Sequence, residues 1–188
     1  MQEVIFSFCA DRPDVTVFGA QAVNLYTRVP RMSEDVDLLA SDPAAAAEAL
    51  AGRLGEELHV ATRVREIRAG VAYRVFQVRK EGDRHLADVR LRMPLGETTV
   101  RDGIRYVSLV DLVAMKVLAL SARGSAPKGA TDLADLRRLL LSHPEIRSSE
   151  AGVTDTIRRF GGSVHAVEAW AELLAAPLVS DEDADEGY

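Results

Sequence analysis

Three aspartates are the residues of this chain best suited to chemistry. Asp35 and Asp37 stand two apart in Arg31-Met32-Ser33-Glu34-Asp35-Val36-Asp37-Leu38-Leu39, and Asp88 lies alone in the apolar run Leu86-Ala87-Asp88-Val89-Arg90-Leu91. On a β-strand, residues i and i+2 project to the same face, so Asp35 and Asp37 point together. A third carboxylate arriving from a neighbouring strand completes a cluster of like charge that is costly unless a cation neutralises it. Converging carboxylate oxygens are the hard-donor environment that Mg²⁺ prefers, and such sites serve phosphoryl transfer. Asp35, Asp37 and Asp88 are therefore the expected metal ligands and catalytic residues. Asp88 is also suited to orient an attacking hydroxyl or to take its proton.

The elements that must position these side chains are legible along the chain. Residues 15–18 form a short β-branched run, Gly19 interrupts it, and a helix-compatible stretch follows. That order predicts strand, tight turn and helix, with the backbone N–H groups of Gly19 and Ala20 free to approach a phosphate. Residues 33–40 read as the strand carrying Asp35 and Asp37. Asp42 and Pro43 supply a cap and a first-turn proline for a helix over 43–54. Strands are expected over 59–67, 73–78 and 84–91, and residues 93–103 form a connection with one short strand. From Ser108 the pattern turns helical. Ser108 and Asp111 resemble a capping box opening a helix over 109–121, and residues 124–129 read as a polar loop. Thr131 caps a helix to about residue 142, and two more helices span 152–160 and 164–175. The domain reading is a mixed α/β core over 1–105, a helical part over 106–178 and a disordered acidic tail over 179–188.

Charge and composition narrow the classes little. The chain has 188 residues and a net charge of −6, but five of its 29 acids crowd the last eight residues, leaving 24 acids against 23 bases. Charge therefore neither favours nor excludes a nucleic-acid partner. Cys9, the only cysteine, excludes an intrachain disulfide, and in its apolar setting reads as a packed thiol. No apolar run is long enough to span a bilayer and no signal-peptide pattern opens the chain, so a cytoplasmic location is expected. The four histidines have no metal-ligand spacing to one another, which argues against zinc and against a metal-dependent phosphohydrolase. Trp170, with Val167, Leu173 and Leu174, fits a helix core stripe.

Gly19-Ala20 followed by Asp35-Val36-Asp37 resembles the first motif of the DNA polymerase beta-like nucleotidyltransferase superfamily. The longer pattern is more specific. Phe18-Gly19-Ala20-Gln21-Ala22, then Arg31-Met32-Ser33-Glu34-Asp35-Val36-Asp37, is similar to the AbiE-type (AbiEii/AbiGii) toxin nucleotidyltransferases. Ser108 to Lys116 resembles that group's helix ending in lysine, and Lys128-Gly129-Ala130-Thr131-Asp132-Leu133-Ala134-Asp135-Leu136 its Arg/Lys-x-x-x-Asp-x-x-Asp-Leu segment. The likeness covers residues 15–140 in order. Ala20 departs from the pattern, standing where serine or a second glycine is common, so a side-chain contact to phosphate is lost.

The resemblance implies a polymerase beta-like α/β (α+β) core with a mixed sheet, followed by a helical C-terminal half. It implies Mg²⁺ (or Mn²⁺) at the aspartates and an NTP whose nucleoside monophosphate passes to an acceptor, RNA such as tRNA or a protein. It further implies a toxin with a cognate antitoxin. Nucleotide contacts fall to Gly19, Ala20, Arg31, Ser33, Lys116, Lys128 and Asp132. Among these, Arg31 either binds phosphate or pairs with Glu34 or Asp35, Ser33 also suits a local hydrogen bond, and Asp132 is placed to orient Lys116 or Lys128. Lys116 either contacts phosphate or extends its stem along an apolar helix. The alternative is a nucleotidyltransferase fold that binds nucleotide or a partner without catalysis.

Overall fold

The computed structural model describes residues 1–178; the tail read as disordered lies outside the described residues. The chain forms two compact units, Met1–Leu25 with Val29–Ser108, and Tyr26–Arg28 with the residues from Leu109 onward. In chain order the first holds α1 (Gln2–Ala10), β1 (Val15–Phe18), α2 (Gly19–Tyr26), β2 (Val36–Ala40), α3 (Pro43–Leu58), β3 (Thr62–Arg68), β4 (Ala72–Gln77), β5 (Arg84–Leu91), β6 (Thr99–Arg101) and β7 (Ile104–Tyr106). Its strands make one mixed sheet in the order β3-β4-β5-β2-β1-β7-β6. The β2–β5 and β1–β7 pairs are parallel and the others antiparallel.

The alternation of side chains gives this sheet two different faces. Val15, Val17, Val36, Leu38, Ala40, Val75, Ala87 and Val89 pack with Ile5, Phe8 and Cys9 of α1 and with Ala47, Leu50 and Leu54 of α3. Each fully buried Val, Leu, Ile or Phe stabilises this core by about 1.5–3 kcal/mol. The other face presents one cross-strand row, in which Phe18, Asp37, Asp88, Arg74 and Arg65 are successive register partners. The aspartate row is thus fixed by the apolar residues that alternate with it.

Several elements differ from the sequence expectation. The helix expected over 43–54 opens as read, with Asp42 accepting a hydrogen bond from the Ala45 N–H at 3.0 Å and Pro43 in the first turn. It runs on to Leu58 because that residue continues the stripe of Leu50 and Leu54 onto the core. α1 is an element beyond those expected, and Ile5, Phe8 and Cys9 carry its helical spacing. β6 and β7 form a hairpin through Asp102 and Gly103, both at positive φ (52° and 78°). Asp-Gly in that conformation is a preferred two-residue hairpin turn, so two strands stand where one was expected.

The second unit is helical: α4 (Leu109–Arg123), α5 (Pro127–Ser142), short 3₁₀ turns at Pro144–Arg147 and Ser149–Ala151, α6 (Val153–Arg159) and α7 (Val164–Ala175). α5 begins four residues before Thr131, at Pro127, where a proline lacking an N–H suits the first helical position. Thr131 therefore does not cap; its hydroxyl donates back to the Pro127 carbonyl at 3.3 Å inside the first turn. Trp170 is buried with Leu173, as the core-stripe reading expects. No helix among the described residues is long and apolar enough to cross a membrane.

Cys9 tests the first unit's core. Burial pushes its thiol from about 9 up to about 12, so the native protein holds it protonated while the unfolded chain ionises near 9. Stability is then unaffected by this group below pH 9 and declines as pH rises from 9 towards 12. Native protein at pH 8 should react with a thiol reagent only at the rate of unfolding, and denatured protein at once. Rapid labelling of native protein would show the core to be open.

Candidate active site

Asp37 and Asp88 sit directly opposite each other on the parallel pair β2–β5, so their carboxylates leave the sheet on the same face. Two like charges on adjacent strands repel unless something cationic intervenes. Arg74 and Arg90 do so, and the His85 ring bridges a further pair. Arg74, the register partner of Asp88 on β4, grips it with two hydrogen bonds, Nε to Oδ1 at 2.7 Å and Nη2 to Oδ2 at 3.0 Å. Arg90 lies 3.4 Å from Asp88 Oδ2 and 3.7 Å from Asp37 Oδ1, with its guanidinium over the Phe18 ring. His85 joins the remaining pair, with Nε2 3.0 Å from Asp88 and Nδ1 3.2 Å from Asp35. All three predicted aspartates therefore belong to one charge network.

His85 reaches Asp88 through a bulge. Residues three apart on a regular strand face opposite ways. Here Val75 pairs with Ala87 and Phe76 with His85, so Leu86 is an extra residue in β5. The bulge turns His85 onto the aspartate face, as bulges beside functional sites commonly do. Spacing among histidines could not reveal this residue. The visible signal for the arginines was the alternation of basic residues on the strands that flank Asp88.

Burial raises the Asp88 pKa, but the hydrogen bonds from His85 and Arg74 outweigh it and hold the carboxyl far below the ordinary range. Asp88 is thus a committed anion and a weak proton acceptor. Its chemistry is to attract and orient positive charge.

Gly19 starts α2 at φ 65°. A Cβ there would overlap Oδ2 of Asp37, with Asp37 Cγ and Cβ only 2.8 and 2.9 Å away. Glycine is needed twice over, for the left-handed backbone and for its contact with the carboxylate. Ala20 follows it, buried. The segment leading to Asp35 is held from α2, where Asn24 exchanges two hydrogen bonds of 2.9 Å with the Arg31 backbone. The Arg31 guanidinium donates to the Met32 carbonyl at 3.2 Å. Ser33 donates to the Asp35 backbone carbonyl at 3.0 Å and lies 3.3 Å from its carboxylate.

A cation suits the chemistry of this donor set. Asp35, Asp37 and Asp88 already gather His85, Arg74 and Arg90, and hard carboxylate oxygens are what Mg²⁺ takes. Among the described residues no three His, Cys, Asp or Glu side chains stand arranged to hold a metal as they lie. Arg90 lies between Asp37 and Asp88, and His85 between Asp35 and Asp88.

In the second unit, Lys116 is buried on α4, with Nζ 2.9 Å from Asp132 and 2.7 Å from Asp135 on α5. Arg123 adds a 2.5 Å contact to Asp132. The lysine's charge is thus matched inside its own unit by Asp132 and Asp135. Lys128 is exposed in the first turn of α5. Asp111, read as part of a capping box, is ion-paired with Arg159 at 2.5 Å.

The family model described as nucleotidyl transferase AbiEii toxin, Type IV TA system, matches residues 3–186. The chain belongs to the AbiEii nucleotidyltransferase family. No curated protein matches it in sequence. Solved structures share the AbiEii chain's fold. The Megavirus polyadenylate synthase aligns with a TM-score of 0.59 at 15% identity, over 76% of this chain and 30% of the viral one. The chain thus spans less than a third of that enzyme's length. The antibiotic-resistance factor ANT(2'')-Ia aligns at 0.57 and 17% identity, over 91% of this chain and 95% of its own. JHP933 from Helicobacter pylori aligns at 0.50 and 16%, over 92% and 91%.

Two substitutions probe how this AbiEii nucleotidyltransferase is built. Gly19→Ala should cost about 1–2 kcal/mol from the left-handed backbone alone. It should also push Asp37 aside, lowering both the melting temperature and nucleotidyl transfer; parental values of both would remove the close approach. Lys116→Met leaves buried Asp132 and Asp135 short of their cation, and should destabilise by about 3–5 kcal/mol. A thermal melt like the parent's would mean that the internal ion pair contributes little.

Proposed function

We propose that this AbiEii nucleotidyltransferase moves a nucleoside monophosphate from an NTP to an acceptor hydroxyl, releasing pyrophosphate, with the Asp37–Asp88 face as its centre. The reading rests chiefly on one observation: two carboxylates in direct register with the bare backbone of Gly19 against one of them. Gly19 and Ala20 would offer backbone donors to the phosphates at the start of α2. Asp35, Asp37 and Asp88 would hold Mg²⁺ (or Mn²⁺), which when bound neutralises charge on the triphosphate. The acceptor oxygen forms its bond to the α-phosphorus as the bond to the bridging oxygen of pyrophosphate breaks. Asp88 orients that hydroxyl, and its depressed basicity sends the proton to solvent. Arg31 and Ser33 shape the approach to Asp35. Lys116, Asp132 and Lys128 serve nucleotide only if the internal pairing of Lys116 opens. The acceptor is RNA, such as tRNA, or a protein, and a cognate antitoxin is the expected partner of a chain in this toxin family.

One observation favours a second reading, a fold that binds nucleotide or partner without transfer: Asp88 is gripped by both Arg74 and His85. Incubating the protein with radiolabelled NTPs and total RNA, with and without Mg²⁺, separates the two. Metal-dependent label on RNA or on the protein itself is expected. Asp37→Asn should keep the fold and lower transfer by roughly a hundredfold or more. Parental turnover in that variant would remove Asp37 from the chemistry, and no label under any condition would favour the binding protein.

A further inference from the structure

On the far side of Asp88 from Gly19 lies an open hollow of about 240 Å³, lined by Arg68, Arg74 and Arg90 together with Ile67, Val71 and Asp88. Its position follows from the sheet register. Along the aspartate row, Phe18 and the glycine turn adjoin Asp37, then comes Asp88, then Arg74. One step along the strands, Arg90, Ala72 and Arg68 form a second row of register partners. The two ends of the site therefore differ in character. One end offers backbone N–H groups beside a carboxylate. The other offers three guanidiniums, of which Arg74 grips Asp88, Arg90 is shared between Asp88 and Asp37, and Arg68 has no acidic partner among the described residues.

We propose that this arginine-lined hollow is the acceptor subsite and takes a backbone phosphate of a single-stranded nucleic acid. The inference rests on the transfer reading above and names its acceptor class. Guanidinium forks match phosphate oxygens, and their planes accept a stacked base. Ile67, half exposed at 49%, and Val71 give an apolar wall for a ribose or base. A cationic small molecule meets repulsion here. An NTP phosphate belongs at the opposite, Gly19 end. Arg68 is the natural probe because it is exposed, lies on the edge strand β3, and makes no ion pair among the described residues.

The test measures binding of a fluorescein-labelled single-stranded RNA by anisotropy over a salt series, without NTP. NTP binding is measured separately by calorimetry. Arg68→Gln should weaken RNA binding about tenfold and reduce the slope of log affinity against log salt by about 0.7. Arg68→Lys, which keeps the charge, should restore the slope. Arg101→Gln makes the same charge change on β6 at the other edge of the sheet and should leave RNA binding unaltered. NTP affinity should match the parent in all three. Equal loss from Arg68→Gln and Arg101→Gln would reveal unspecific attraction and overturn the subsite. So would RNA binding by Arg68→Gln like the parent's, a loss of NTP affinity in place of RNA affinity, or transfer of label to protein that ignores Arg68. Because RNA binding is read without NTP, a parent that binds RNA through Arg68 yet transfers no label would count against the transfer reading, not against the nucleic-acid site.

Discussion

The confrontation of Asp37 with Asp88 is the interaction around which the first unit is arranged. Parallel pairing of β2 and β5 forces the two carboxylates together, and burial of their alternate neighbours prevents either strand from slipping to relieve the repulsion. Slippage by one residue would carry Val36, Leu38, Ala87 and Val89 out of the core. The repulsion is met instead by Arg74, Arg90 and His85, recruited from β4 and β5. Core packing thus holds the acids in place, and the acids in turn dictate which residues flank them.

Two electrostatic solutions coexist in the chain. On the aspartate face the cations are partly exposed, and the geometry leaves Arg90 shared between two acids at 3.4 and 3.7 Å. In the second unit Lys116 and its two aspartates are buried, with short contacts of 2.9 and 2.7 Å. A loose, half-solvated network can be rearranged by an arriving ion at modest cost. A buried one is expensive to open, because each freed charge loses its partner without gaining water. The first arrangement suits chemistry, and the second suits holding α4 to α5.

The sequence made the glycine turn, the Asp-x-Asp strand and the third aspartate legible, because these depend on local order and period-two alternation. The helical half was legible too, from capping residues and helical spacing after Ser108, and resemblance added the family. What it hid depends on tertiary pairing. Lys116, read as a phosphate contact or a stem along an apolar helix with Asp132 placed to orient it, also lies against Asp135, and α5 begins at Pro127, which the polar composition of residues 124–129 concealed. α1 carries a weak signal because its buried stripe is only three residues, Ile5, Phe8 and Cys9. Arg74 and Arg90 looked like ordinary strand alternation until register placed one opposite Asp88 and the other between two acids. Asp102-Gly103 is itself a local hairpin signal at the junction of β6 and β7.

The bulge at Leu86 has a bearing on how this chain tolerates changes of length. In most strands, losing one residue reverses every side chain beyond it and is rejected by the core. In β5 the extra residue already interrupts the alternation, so its removal would leave Ala87, Asp88 and Val89 in register with β2 and simply complete the ladder to β4. The shortened strand would pair more fully and, with His85 now two residues from Asp88, would still present it to the aspartate face, but the core would lose the buried Leu86 side chain. At that single position a loss of one residue acts on packing and leaves the facing of every other side chain in β5 unchanged.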